Sequence, residues 1–339
     1  MYQQNDSWLQ TTPHSKLLIK MLRHRAQRNQ TLTLSDAERH ELSAQLMYLK
    51  EKASIEEISD RILCQDILKA LPQMPEACAD LLIIDPPYNH SISFGWSKFK
   101  QTASNKYEEY LRTWLPDALK LLKPTGSVYV CADWRSSGSV QQVLEENGIC
   151  ILNRITWQRE KGRGAQRNWK NSMEDIWYGV CNPKDYYFDV EAVKLRRLVK
   201  APYRQDGQPK DWQQGEEGKK YRETCPPNYW NDCEPSNAMD DLVVPFWSMP
   251  ENTDHPTQKP EKLIAKLILA SCPKDGLVID PFVGSGTTAV VAKKLERHYC
   301  GIELNPEYAC WALKRLEKAA EDTRIQGYED GVFWERNAR

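Results

Sequence analysis

The sequence predicts an α/β fold, one mostly parallel sheet with helices on both faces, interrupted by an inserted region. Three observations carry the prediction. Short aliphatic runs alternate with amphipathic stretches, the rhythm of strands covered by helices. Two of those runs, Leu81–Ile84 and Leu277–Ile279, end in the same way, on an aspartate followed by proline. The alternation stops between about Arg154 and Pro250, where the sequence turns polar, aromatic and Gly/Pro-punctuated, and then resumes. With 339 residues, 40% of them hydrophobic, the chain can bury a substantial core.

In chain order, residues 1–60 form a charged, helical N-terminal extension. Ser35-Asp36 opens a helix through "LSDAERHELSAQLMYLKEKA", in which Leu42, Leu46 and Leu49 fall at helical spacing. The Arg23, His24, Arg25 and Arg28 cluster reads first as a solvated helix face and second as a phosphate contact. Residues 61–153 give the first half of the sheet: strand "RILCQD", helix "ILKALPQM", buried strand "ADLLIID", amphipathic helix "YEEYLRTWLPDALKLLK" and strand "GSVYVCAD". Residues 154–250 are the insert. Residues 251–320 give the second half, with "PEKLIAKLILASC", "GLVIDPF", "GTTAVVAKKLE" and "HYCGIEL", and 321–339 a C-terminal tail.

The net charge of -1 means that any nucleic-acid partner meets a local patch rather than the whole surface. The 10 cysteines form no CxxC pair and no His–Cys spacing suited to zinc, so reduced core thiols are expected and no metal is implied. No aliphatic run is long enough to span a membrane and the N-terminus lacks a signal layout, so a cytoplasmic location is expected.

Chemistry concentrates at the two acid-tipped strands. In "GLVIDPFVGSGTT" a strand ends at Asp280, Gly284 and Gly286 form a tight turn, and a helix opens at Thr287. Glycines there let backbone approach a ligand without Cβ interference. The next strand, "HYCGIELN", ends on Glu303, placed to accept hydrogen bonds from ribose hydroxyls. A NAD or FAD site is the rival reading. The turn lacks the third glycine of GxGxxG, however, and Asp280 and Phe282 ahead of it leave less room for a pyrophosphate. An acidic D-x-F-x-G-x-G turn suits a cofactor bearing ammonium and sulfonium charges, namely S-adenosylmethionine (SAM).

Asp85, Pro86, Pro87 and Tyr88 follow the other strand, where a parallel sheet places its ligands. Proline fixes φ and removes donors, so the Asp85 carboxylate and the Pro86 carbonyl can face outward as two rigid acceptors. Two acceptors suit the exocyclic amine of a nucleobase: they draw its nitrogen toward tetrahedral geometry and stabilise the positive charge that develops on methylation. Tyr88 would stack on a flipped base. A rigid turn alone would explain "DPPY" in isolation, and the neighbouring glycine turn and Glu303 argue against that.

With this order, Asp85–Tyr88 before Phe282–Gly286 and an irregular segment between, the sequence resembles the β-class SAM-dependent amino-methyltransferases of DNA from about Arg61 to Leu316. The resemblance implies a Rossmann-like methyltransferase fold with circularly permuted motif order and an inserted target recognition region. It implies further that Asp66 contacts the adenosyl group and that Thr257, Gln258 and Lys259 of "HPTQKPEKLI" lie near the methionine carboxylate, with Ser285 in the glycine turn. A lone His255 beside proline is expected to be structural.

The insert carries 16 Lys/Arg against 10 Asp/Glu over residues 154–222. Lys161, Arg163, Arg167 and Lys170 are expected on phosphates, and Arg196, Arg197, Arg204 and Gln208 at base edges; a merely solvated loop is the alternative. The expected reaction is N6-methylation of a flipped-out adenine in double-stranded DNA. N4-methylation of cytosine is the alternative, disfavoured because the cytosine enzymes of the family more often carry Ser in place of Asp85. RNA is disfavoured because RNA enzymes more often carry Asn there, and a binding protein without catalysis because every expected polar group is present. A homodimer and a cognate restriction endonuclease stay open as partners.

Overall fold

The computed structural model describes residues 32–94, 97–158, 167–169, 171–199, 204–214, 218–231, 252–253 and 255–334. Its centre is an eight-stranded sheet of β1 (Arg61–Cys64), β2 (Ala79–Ile84), β3 (Leu122–Ala132), β4 (Cys150–Gln158), β5 (Met173–Val180), β6 (Tyr229–Trp230), β7 (Leu277–Asp280) and β8 (His298–Glu303). The strands lie in the order β1-β8-β7-β2-β3-β5-β4-β6. All neighbours are parallel except β5, which runs antiparallel to both β3 and β4.

Strand β2 shows why its near-continuous aliphatic run is needed. Alternate residues point to opposite faces, so Leu81 and Ile83 pack with the helices Glu261–Ser271 and Thr287–Lys294 on one side. Leu82 and Ile84 pack with Trp114, Leu115 and Val140 on the other. Both faces are covered, as a parallel sheet requires.

Every residue of the helix Glu261–Ser271 is buried. Its two lysines are accommodated individually: Lys262 Nζ donates to the Trp334 carbonyl at 2.6 Å, and Lys266 Nζ lies 4.9 Å from the Trp230 ring centre and 5.5 Å from that of Phe333. The covering layer above it belongs to a second, five-stranded sheet built from Gln213–Gln214, Lys220–Thr224, Leu195–Leu198, Val332–Trp334 and Tyr328–Glu329.

Four expectations change. The main sheet continues past Arg154, through the rest of β4 and all of β5, because Glu174 and Asp175 break an otherwise apolar strand and disguise it. The segment after residue 320 is no free tail: Val332–Trp334 pairs with Leu195–Leu198 and Phe333 is fully buried. The stretch "YEEYLRTWLPDALKLLK" makes two helices, Ser104–Arg112 and Leu115–Leu119, since Pro116 has no N–H to bond the Arg112 carbonyl and is tolerated only in the first turn of a new helix. The N-terminal helix covers Asp36–Ser43 behind a Ser35/Glu38 capping box and stops before Leu49. Beyond it the backbone turns to β1, with Cys64 N–H donating to the Met47 carbonyl at 2.8 Å. Arg23, His24, Arg25 and Arg28 lie outside the described residues.

Candidate active site

The two acid-tipped strands are neighbours. Val278 pairs with Leu81 and Ile279 with Leu82, so Asp280 and Asp85 emerge side by side at the C-terminal edge of the sheet. Glu303 ends β8 on the far side of β7, and Cys64 of β1 pairs with it in register, which brings Asp66 to the same edge. The chain leaves β7 toward β8 and β2 toward β3, in opposite directions along the sheet, and a crevice opens at that reversal. A pocket open to solvent lies there; Asp85, Thr257, Gln258, Lys259, Asp280, Phe282, Gly284, Ser285 and Thr287 all line it.

The glycine turn is rigid because backbone and side chains grip it from every direction. Gly284 (φ +54°) and Gly286 (φ +89°) hold left-handed backbone, and Gly286 caps the helix Thr287–Lys294. Asp280 accepts from Phe282 N–H at 2.9 Å and from the Thr288 hydroxyl at 2.6 Å. Glu303 accepts from Gly284 N–H at 3.0 Å and Asn305 N–H at 2.7 Å. From beneath, the buried Arg315 donates to the Ser285 carbonyl (3.0 Å) and the Thr287 hydroxyl (2.9 Å), and is itself neutralised by Glu261 at 3.0 Å. Gln258 Oε1 receives the Thr253 and Ser285 hydroxyls at 2.7 and 3.1 Å, which ties the segment before the long helix to the turn. Asp66 caps the helix Ile67–Ala70 by accepting from Leu68 N–H at 2.8 Å.

Burial pushes the Asp280 and Glu303 carboxyls up to about 7 each, against hydrogen bonds that favour their charged forms. Both folded values lie above the unfolded ones, so the stability these groups contribute is fully present below about pH 4 and is lost as the pH rises through about 7. Glu303→Gln and Asp280→Asn should each flatten the decline in melting temperature of the ligand-free protein between pH 5 and 8. A thermal melt series across that range checks this; an unchanged slope in both variants contradicts it.

His255 is held differently. Burial and the nearby Lys259 push its imidazole down to about 3, so it is neutral and accepts from Thr257 N–H at 3.4 Å. Its ring packs edge-on against Tyr308 at 4.6 Å and lines the pocket beside Gly284.

The Asp85–Tyr88 turn holds a compact ionic cluster. Lys259 Nζ lies 2.6 Å from Asp85 and 3.5 Å from Glu174, and Tyr88 donates its hydroxyl to Glu174 at 3.0 Å. Burial alone would lower the Lys259 ammonium, but the Asp85 and Glu174 carboxylates outweigh it and hold the group above the usual lysine range. The turn itself is fixed by Tyr107, whose hydroxyl donates to the Pro87 carbonyl at 3.0 Å, and by Asn89, which bonds the backbone of Thr102.

Two placements differ from the sequence reading. The Lys259 ammonium is engaged by Asp85 and Glu174. Tyr88 is only 7% exposed, with that ammonium 5.3 Å from its ring centre, so the stacking face is covered in this conformation. Glu174 and Arg315 were not foreseen. An acid inside an apolar strand is the signal that could have found Glu174; Arg315 is one of several basic residues on its helix, and nothing in the sequence singles it out.

The residues expected on DNA stand apart from this cluster. Arg196 is bound to Glu223 across the second sheet and lies over the Trp334 ring, and Arg197 sits next to it opposite Arg222. Arg204 is exposed and donates to the Gly207 carbonyl, in a hairpin where Gln208 pairs with Gln205. Arg167 is exposed, while Lys161, Arg163 and Lys170 lie outside the described residues.

Residues 79–314 match the DNA methylase family. Type II methyltransferase M.HpaI of Haemophilus parainfluenzae is 31% identical over 273 residues, 80% of this chain and 77% of that protein. Type II methyltransferase M2.DpnII of Streptococcus pneumoniae is 32% identical over 274 residues, 76% and 89% of the two chains. Among solved structures, the PvuII DNA methyltransferase, described as cytosine-N4-specific, shares the fold with a TM-score of 0.54 at 18% identity, over 77% of this chain and 90% of that one. With the family match spanning both acid-tipped strands and the crevice between them, this chain belongs to the β-class N6/N4 DNA methylases.

Proposed function

We propose that this DNA methyltransferase acts on the exocyclic N6 amine of adenine at a specific site in duplex DNA, with SAM as methyl donor. The observation that carries the reading is the placement of Asp85, on a rigid double-proline turn, beside the acid-flanked glycine turn.

The chemistry around the pocket fits the cofactor: the buried Asp280 in its lining and the buried Glu303, which holds the Gly284 N–H behind the turn, suit a ligand with a cationic end and a ribose diol, and an apolar wall is formed by Phe282, whose ring packs on Trp114 at 4.9 Å. Asp66 and Glu303 would hold the ribose side, Asp280 and the turn from Gly284 to Thr287 the centre, and Thr257 and Gln258 the methionine carboxylate. When bound, SAM supplies a methyl group activated by its sulfonium charge.

The chain's own work is on the amine. Asp85 and the Pro86 carbonyl accept its two N–H hydrogens, which localises the lone pair and offsets the positive charge that grows as the new N–C bond forms. The proton leaves the nitrogen after that bond is made. The second sheet and the Arg204 hairpin contribute cations for the DNA, and Lys161, Arg163, Arg167 and Lys170 belong to the same expected surface. A homodimer and a partner endonuclease rest on the family resemblance alone.

Single-molecule sequencing of DNA from a methylation-free host expressing this chain tests the reading. N6-methyladenine at one short motif is expected. N4-methylcytosine would transfer the same chemistry to the alternative base, since both amines suit the same two acceptors, and no methylated base of either kind would sink the proposal.

A further inference from the structure

We propose that Glu174 is a positioning residue for methyl transfer: it draws the Lys259 ammonium off Asp85 as the target amine enters, so that Asp85 meets that amine as a free carboxylate. This rests on the methyl-transfer reading of the site.

Asp85 is placed to accept an N–H of the amine, yet its Oδ2 is bound at 2.6 Å by Lys259. An ammonium so close weakens the carboxylate as an acceptor and opposes the positive charge that grows on the substrate nitrogen. Lys259 is 8% exposed and cannot simply swing into water, because a buried ammonium needs a counter-charge wherever it goes.

Glu174 supplies that counter-charge from another strand. It is buried, its Oε2 lies 3.5 Å from Lys259 Nζ, and the Tyr88 hydroxyl pins the same oxygen at 3.0 Å. A shift of Nζ by ~0.7 Å would complete a charged hydrogen bond of ordinary length to Glu174 and stretch the contact with Asp85 to at most ~3.3 Å, and a further turn of the Lys259 side chain about its Glu174 bond would break that contact. The cluster of two carboxylates and one ammonium therefore has two arrangements: one pairs Lys259 with Asp85, the other pairs it with Glu174 and frees Asp85. A glutamine at position 174 would serve the Tyr88 hydroxyl equally well. Only a charge serves Lys259.

The test is single-turnover methyl transfer at saturating SAM and plasmid DNA, comparing wild type, Glu174→Gln, Glu174→Asp, Lys259→Met and the Glu174→Gln/Lys259→Met double variant. We expect Glu174→Gln to lower the rate at least tenfold without changing DNA affinity by more than about twofold, and Glu174→Asp to recover part of the loss. With Lys259 already removed, Glu174→Gln should cost no more than twofold further. A Glu174→Gln rate within twofold of wild type, or the same fold-loss in both backgrounds, overturns the inference. Wild-type protein that methylates no DNA overturns the functional reading and this inference together, whereas an active wild type with additive variants overturns only the inference. A crystal structure of wild-type protein with duplex DNA and a non-transferring cofactor analogue stands independent of whether the variants fold: Lys259 Nζ should contact Glu174 and leave Asp85, and Nζ still bound to Asp85 overturns the proposal.

Discussion

Asp85→Ala should lower methyl transfer to DNA by at least about 10²–10³-fold while leaving a folded protein, the loss expected when a preorganised group facing developing charge is removed. The stability side of this prediction comes from the same cluster. Removing one partner of a buried ion pair ordinarily costs about 3–5 kcal/mol because the other charge is orphaned. Lys259 is not orphaned here: with Asp85 gone it keeps Glu174, 3.5 Å away, and the remaining pair is neutral where the original trio carried a net negative charge. The destabilisation should therefore fall below that range. Transfer of radiolabelled methyl to plasmid DNA reads the first effect and urea unfolding the second. Transfer within tenfold of wild type would remove Asp85 from the reaction; a loss of stability above about 3 kcal/mol would mean that Glu174 does not compensate.

What the sequence revealed and what it hid divide along a physical line. Asp85, Asp280, Gly284, Gly286 and Glu303 were legible because each stands where main-chain geometry makes a demand: a strand end, a fixed proline φ, a left-handed turn. Those demands leave local signatures, and parallel pairing of β2 and β7 then forces the residues together. Glu174 and Arg315 act through contacts separated by 86 and 30 residues, with Tyr88 and Ser285 respectively, and such pairings leave no local pattern. Strand β5 was hidden for the same reason that it matters, since its Glu174 and Asp175 interrupt the apolar run that announces a buried strand. The C-terminal strand Val332–Trp334 was too short to stand out, although Phe333 fills the core between the second sheet and the buried helix Glu261–Ser271. In the N-terminal extension the leucine spacing was real but the helix ended early, because backbone groups of Met47 and Leu49 are engaged by Cys64 and Gln65.

Gly286→Ala should destabilise the protein by about 2–6 kcal/mol, combining roughly 1–3 kcal/mol for a non-glycine residue in a strained left-handed conformation with roughly 1–3 kcal/mol for overpacking. Both parts are visible in the structure. The backbone at Gly286 has φ +89°, and a Cβ built there would lie 2.6 Å from Ala312 Cβ and 2.8 Å from Ala312 Cα. Ala312 is buried on the helix Pro306–Glu321, so the clash is relieved only by moving a helix or unwinding the turn. Either movement reaches the cofactor pocket, because Arg315, three positions along the same helix, holds the Ser285 carbonyl and the Thr287 hydroxyl. Cofactor affinity should accordingly fall together with stability, measured by calorimetry and by urea unfolding. Ala312→Gly in the same background removes the 2.6 Å contact but leaves the 2.8 Å contact and the backbone strain, so it should restore only part of the loss. A variant that keeps full stability but loses the cofactor would place the need for glycine in ligand approach rather than in packing, and would show that the helix under the turn yields more readily than its burial indicates.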